Sequence, residues 1–77
     1  MRLTIENTTK LVELIVNGHA IPARIWEGHT ESGIPVHCYI TRVAVHESLD
    51  AAQFERELAE QRKPSVEIEA IPSRLIL

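Results

Sequence analysis

Apolar and polar positions alternate with period two along most of the chain up to Val45, which predicts strands. The most apolar of these segments is Ile34 to Val45, IPVHCYITRVAV. Val36, Cys38, Ile40 and Ala44 fall on one side of it, and Tyr39, Val43 and Val45 on the other. A strand apolar on both sides is expected at the centre of its sheet, covered front and back. Upstream, Leu3 and Ile5 alternate with Arg2, Thr4 and Glu6, giving a short first strand that Asn7-Thr8-Thr9 ends as a turn or bend. Lys10 to Val16 forms the next strand, and Asn17-Gly18 closes a type I′ hairpin, because both turn positions need positive φ. A two-residue loop pairs Val16 with His19, Leu14 with Ile21 and Val12 with Ala23.

That register collects Val12, Leu14, Val16, Ile21, Ala23 and Ile25 on the expected core face. Pro22 falls opposite Glu13 with its missing N–H on the far edge, so a third strand pairs only beyond it. Glu31-Ser32-Gly33 supplies a three-residue loop with Gly33 left-handed, which sets Ile25 opposite Tyr39 and Trp26 opposite Cys38. A two-residue loop would instead bring Arg42 to the core face.

The pattern then changes period. Ala51, Phe54 and Leu58 make a narrow apolar stripe in AAQFERELAEQRK, with Asp50 and Gln53 as a capping box and Leu49 and Phe54 as a hydrophobic staple. Pro64 ends this helix, with Arg62 and Lys63 near its negative end. The stripe suits one face of the sheet. Val66, Ile68 and Ala70 alternate with Glu67 and Glu69 as an edge strand, and the apolar Ile71 to Leu77 docks on the sheet or crosses to another subunit. Residues 1–77 therefore form a single α+β domain: an antiparallel β-meander of three to four strands, one amphipathic helix on one face, and a C-terminal strand or arm.

Composition narrows the function. The chain has 8 basic and 11 acidic residues and a net charge of −3, which argues against a surface built for phosphates. One Trp, one Tyr and one Phe make a poor base-stacking platform. A lone cysteine in an aliphatic strand points to a reducing, cytoplasmic setting, and neither a secretory signal nor a membrane-spanning run is expected. His19, His29, His37 and His46 lack metal-ligand spacing, and Cys38 and His37 fall on opposite faces of their strand. Ser32 and Ser48 read as turn and pre-helix residues. No nucleophile, phosphate-loop or dinucleotide signature is present, so no cofactor and no enzymatic activity are expected.

The sheet face away from the helix is the candidate site. It holds Leu11, Ile15, Trp26, Cys38 and Ile40 among Glu13, Arg24 and Arg42, with Glu13 and Arg24 placed to pair diagonally. Trp and Arg are the residue types enriched at binding hot spots, so Trp26, Arg24, Ile40 and Arg42 are the expected contact residues. Either the tail Ile71 to Leu77 covers this patch or a second subunit or another protein does. The small domain tilts the expectation toward a homodimer.

The run ARIWEGHTESGIPVHCYITRVAV, followed by QFERELAEQRKPS and a terminal AIPSRLIL, resembles small proteins of unknown function encoded in bacterial genomes, often within prophage-like regions. The resemblance covers most of the chain and implies a small bacterial or phage accessory protein. The expectation is thus a non-enzymatic interaction module whose partner is a protein or a second copy of itself. The alternative is a nucleic-acid-binding accessory that uses Arg24 and Arg42 of the same face. A small enzyme or metal protein stands last.

Overall fold

The computed structural model describes residues 1–46 and 50–77. Its elements are β1 (Leu3–Val16), β2 (His19–Thr30), β3 (Pro35–Ile40), α1 (Ala51–Leu58), α2 (Val66–Glu69) and β4 (Arg74–Ile76). They form an α+β fold around a four-stranded sheet in the order β3-β2-β1-β4. The first three strands are an antiparallel meander, while β4 runs parallel to β1.

The hairpin follows from the turn chemistry. Asn17 and Gly18 take φ of 51° and 79°, and Val16–His19, Leu14–Ile21 and Val12–Ala23 face one another. The second loop also has the expected length, with Gly33 at φ 88° and Ile25 opposite Tyr39.

The segment Ile34 to Val45 behaves differently from the expectation. Only Pro35–Ile40 is strand, and it lies at the edge of the sheet rather than its centre. Pro22 explains the length. Thr30 N–H donates to the Ile34 carbonyl, so bonded pairs recur at every second residue down to Arg24–Ile40. The next such pair would be Pro22 with Arg42, and Pro22 has no hydrogen to give. β3 stops there.

Asn7-Thr8-Thr9 is not a turn between two strands. It belongs to an irregularity inside a single 14-residue strand, where Asn7 faces Trp26, Leu11 faces Arg24, and only Ile25 lies between those two partners. The distortion persists because its polar groups are used. Thr8, fully buried, donates its hydroxyl to the Ile25 carbonyl and accepts from Lys10 N–H, while Arg24 Nη1 donates to the Thr8 carbonyl at 3.0 Å.

α1 carries the expected stripe, and Ala51, Phe54 and Leu58 are all half-buried. It ends at Leu58, earlier than Pro64 would require. The reason is competition from β1. Asn7 Nδ2 donates to the Leu58 carbonyl, Arg62 N–H donates to the Asn7 carbonyl, and Thr9 N–H donates to the Arg62 carbonyl. The backbone near Arg62 is thus drawn out of the helix onto the free edge of β1. The capping box does not form either, since Asp50 makes no side-chain cap bond and Gln53 accepts from Arg56 instead. The expected roles of Leu49 and Ser48 lie outside the described residues.

Val66–Glu69 is a one-turn helix where the alternation predicts an edge strand. Ser65 Oγ accepts from Ile68 N–H at 3.4 Å, and Glu67 and Glu69 stand near the positive end of the turn. The turn drives Ile68 into the core beside Val12, Leu14, Ala23 and Ile25, with Ile71 and Leu75 packed against them. The tail therefore neither hangs loose nor lies over Trp26. Glu13 N–H donates to the Ser73 carbonyl and Leu77 N–H to the Ile15 carbonyl, which fastens β4 to the edge of β1.

The crossing from α1 to α2 is locked by charge. Glu27 Oε2 accepts the Ser65 N–H at 2.8 Å and lies 3.4 Å from Arg62 Nη1, and Arg62 Nε is 3.7 Å from Glu6. Burial raises the Glu27 pKa. The Ser65 backbone and hydroxyl, then Arg62 and His37, outweigh it and hold the carboxyl below its ordinary value. A lowered folded-state pKa stabilises the protein above the unfolded Glu value of about 4.3, and that stabilisation disappears as pH falls through the folded value. Glu27→Gln should cost about 1.5–3 kcal/mol at neutral pH, and its deficit relative to the parent should shrink below about pH 4. Urea denaturation of both chains across acid pH measures this, and a deficit independent of pH would count against the ionic role.

Candidate functional site

α1 lies over the Trp26 side of the sheet, the face expected to be away from it. The other face is closed by α2 and its flanks. The helix covers the Asn7–Trp26 end only. Between α1 and the sheet runs a groove of about 580 Å³, lined by Asn7, Arg24, Trp26 and Ile40, by Thr41, Arg42 and Val43 beyond β3, and by Glu55, Leu58, Ala59 and Gln61.

Trp26, Arg24, Ile40 and Arg42 therefore line one concavity. Trp26, Arg24 and Ile40 are half-buried and Arg42 is exposed. β2 presents Arg24 and Trp26 on the same face because they are two residues apart, and the β2–β3 register sets Ile40 directly opposite Arg24. Arg42 arrives beside them because β3 ends at Ile40 and the chain turns toward the helix. Arg24 donates to the Thr8 carbonyl and makes no ion pair with Glu13, so the expected diagonal pair is replaced by a brace on the β1 irregularity.

Asn7, Trp26 and Gln61 line both this groove and a second cavity of about 320 Å³. The second cavity is ringed by Ile5, Glu6, Glu57, Glu60, Gln61 and Arg62. The groove thus combines aliphatic groups and arginines with Glu55, and the second cavity gathers Glu6, Glu57 and Glu60 with Arg62. Asn7 is 8% exposed, and its Oδ1 is buried without a hydrogen-bond partner among the described residues. Its amide nitrogen is held by Leu58, which ties the helix to the floor of the groove.

The rest of the same face stays open. Leu11 and Ile76 are 59% and 85% exposed, with Ile15 between them in register. The histidines are dispersed. His19 borders the hairpin turn, His29 Nδ1 contacts the Thr30 carbonyl, and His37 packs edge-on against Tyr39 at 5.4 Å between ring centres. Among the described residues no group of three or more His, Cys, Asp or Glu side chains is close enough to hold a metal ion. No described helix is long and apolar enough to cross a membrane.

Sequence reasoning missed Asn7 and α1 as walls of the site. The polar Asn7-Thr8-Thr9 reads as a turn by composition, and a side chain bonded to a residue 51 positions away leaves no local trace. No protein family model matches the chain, and neither a curated protein nor a solved structure matches it.

Proposed function

We propose that the chain is a non-enzymatic accessory module that captures a peptide segment of a partner protein in the groove between α1 and the sheet. The observation that carries this reading is the convergence of Trp26, Ile40 and Val43 with Arg24 and Arg42 in one concavity. Apolar side chains of a partner would rest against the indole and the aliphatic groups, and a partner carboxylate would meet Arg42 at the open rim. Hot spots form where an aromatic anchor is ringed by groups that exclude water, and Trp26 has that setting. The resemblance to small prophage-encoded proteins supports an accessory role in a bacterial cell or virion, and the single thiol suits a cytoplasmic one.

The test is selection of displayed peptides against the whole chain, followed by titration of the selected peptides. Binders should carry an apolar residue near an acidic one and should shift the fluorescence of the single tryptophan. Trp26→Ala should weaken them by about 30-fold or more. Selected peptides that bind Trp26→Ala as tightly as the parent would remove this site.

Nucleic acid is the second reading, favoured by the paired Arg24 and Arg42. Glu55 on the opposite wall and the net charge of −3 weigh against it. Affinity for duplex or single-stranded DNA that drops steeply with added salt would favour it over the peptide.

A further inference from the structure

The geometry points to a second copy of this chain docking along the free edge of β3, which joins two sheets into one eight-stranded sheet. The β3 edge adjoins the groove at Ile40, and Tyr39 and Cys38, which test it, are not among the groove residues that test peptide capture.

Three observations lead there. The first is area. The chain exposes 6011 Å², where a compact monomer of its mass exposes about 4,700 Å². Its radius of gyration is 13.8 Å, against about 11.5 Å for a compact domain of this length. The surplus, about 1,300 Å², exceeds the roughly 800 Å² per partner of a standard interface. Part of the apolar share lies on β3 and its flanks: Ile34 is 60% exposed, Tyr39 39% and Val45 38%.

The second is the state of the edges. β1 is covered by the Arg62 backbone and by β4, and β4 itself offers only three residues. β3 offers six, and no backbone bond among the described residues reaches its outer side. Exposed edges are ordinarily guarded by charges, bulges or prolines within the strand. β3, PVHCYI, has no charge, and its proline stands only at the first position.

The third is self-complementarity. Because Val36, Cys38 and Ile40 pair with β2, the N–H of His37 and Tyr39 and the carbonyls of Pro35, His37 and Tyr39 point outward. A twofold axis through Cys38 sets His37 opposite Tyr39 of the partner subunit and forms four main-chain bonds. On one face the His37–Tyr39 edge-on pair meets its own copy. On the other, Val36 meets Ile40 of the partner subunit and the two Cys38 residues face each other. The axis stands normal to the sheet, so both grooves open on the same side. Like charges meet nowhere along β3, which is what a strand pairing with itself requires.

Sedimentation equilibrium of the whole chain should give about twice the 8.7 kDa chain mass. Tyr39→Pro removes two of the four bonds and should weaken association by about 30-fold while keeping the far-ultraviolet dichroism of the fold. Facing residues of an unbonded antiparallel pair have Cα atoms about 4.5 Å apart, within disulfide range. Diamide should therefore link the folded chains through Cys38 faster than it links urea-unfolded chains at equal concentration. Cys38→Ser should remain a dimer that diamide does not link. A chain that sediments at 8.7 kDa throughout overturns the proposal. So does a dimer that a folded Tyr39→Pro leaves intact. If Tyr39→Pro does not fold, the diamide rates decide: a native rate no faster than the unfolded one overturns the assignment.

Discussion

Gly28→Ala should lower the melting temperature by about 12–24 °C, the largest effect expected of any single methyl group added to this protein. A Cβ built on Gly28 lies 1.8 Å from the Thr4 carbonyl oxygen and 2.8 Å from the Ile5 Cα. Both obstacles are backbone, so no rotamer change relieves them. β1 must peel away from β2 between Leu3 and Asn7, which also strips Glu6 from Arg62. Overpacking a sound core costs about 1–3 kcal/mol. Displacing a strand belongs at or above the top of that range. A domain of this size holds about 3–5 kcal/mol in all, so most of its stability is at stake. Calorimetry of the variant measures the effect, and a melting point within a few degrees of the parent would mean that β1 and β2 do not approach as described.

Ile68→Ala is the second large effect, at about 2–5 kcal/mol by the cost of emptying a buried aliphatic site. Ile68 is 5% exposed and is the residue through which α2 closes the core face over Val12, Leu14, Ala23 and Ile25. Val66, two residues earlier, is 83% exposed. A strand would place the two side chains on the same face and make their truncations comparable. The one-turn helix separates them, so Val66→Ala should stay within about 0.5 kcal/mol. Equal losses in urea unfolding would restore the strand and remove α2.

How far the chain could be read by itself varies along its length. The β1–β2 register beside the hairpin turn and the β2–β3 register were legible because local chemistry fixes them. Asn17-Gly18 dictates a two-residue loop, Gly33 ends a three-residue one, and Pro22 states where pairing on its side must fail. The same Pro22 already held the reason that Ile34 to Val45 could not be one long central strand. Gly28, an isolated glycine inside β2, meets the Thr4 and Ile5 backbone, a constraint that shows only once β1 lies beside it. The α1 stripe was equally local, because it depends on spacing alone.

Other features depended on residues far apart in the chain. Asn7, Thr8 and Thr9 look like a turn until Ile25, Leu58 and Arg62 are brought beside them, and only then do their polar groups find partners, Asn7 Oδ1 excepted. The helix ends at Leu58 rather than near Pro64 because the β1 edge takes the Arg62 backbone. Alternating Val66, Glu67, Ile68 and Glu69 suits a strand or a helical turn equally well at four residues. The Ser65 cap, the hold of Glu27 on Ser65 and the open space over Ile25 select the turn. Trp26, Arg24, Ile40 and Arg42 were visible as residues of the right chemical types, but not as walls of one groove.

Turns, the registers beside them and amphipathic stripes are written in the residues themselves, because they follow from dihedral preference and periodicity within a few positions. The tertiary structure alone decided which face each helix covers and which edge the tail takes. Those choices turn on how backbone donors and acceptors far apart in the chain find partners, and no short stretch of residues carries that information.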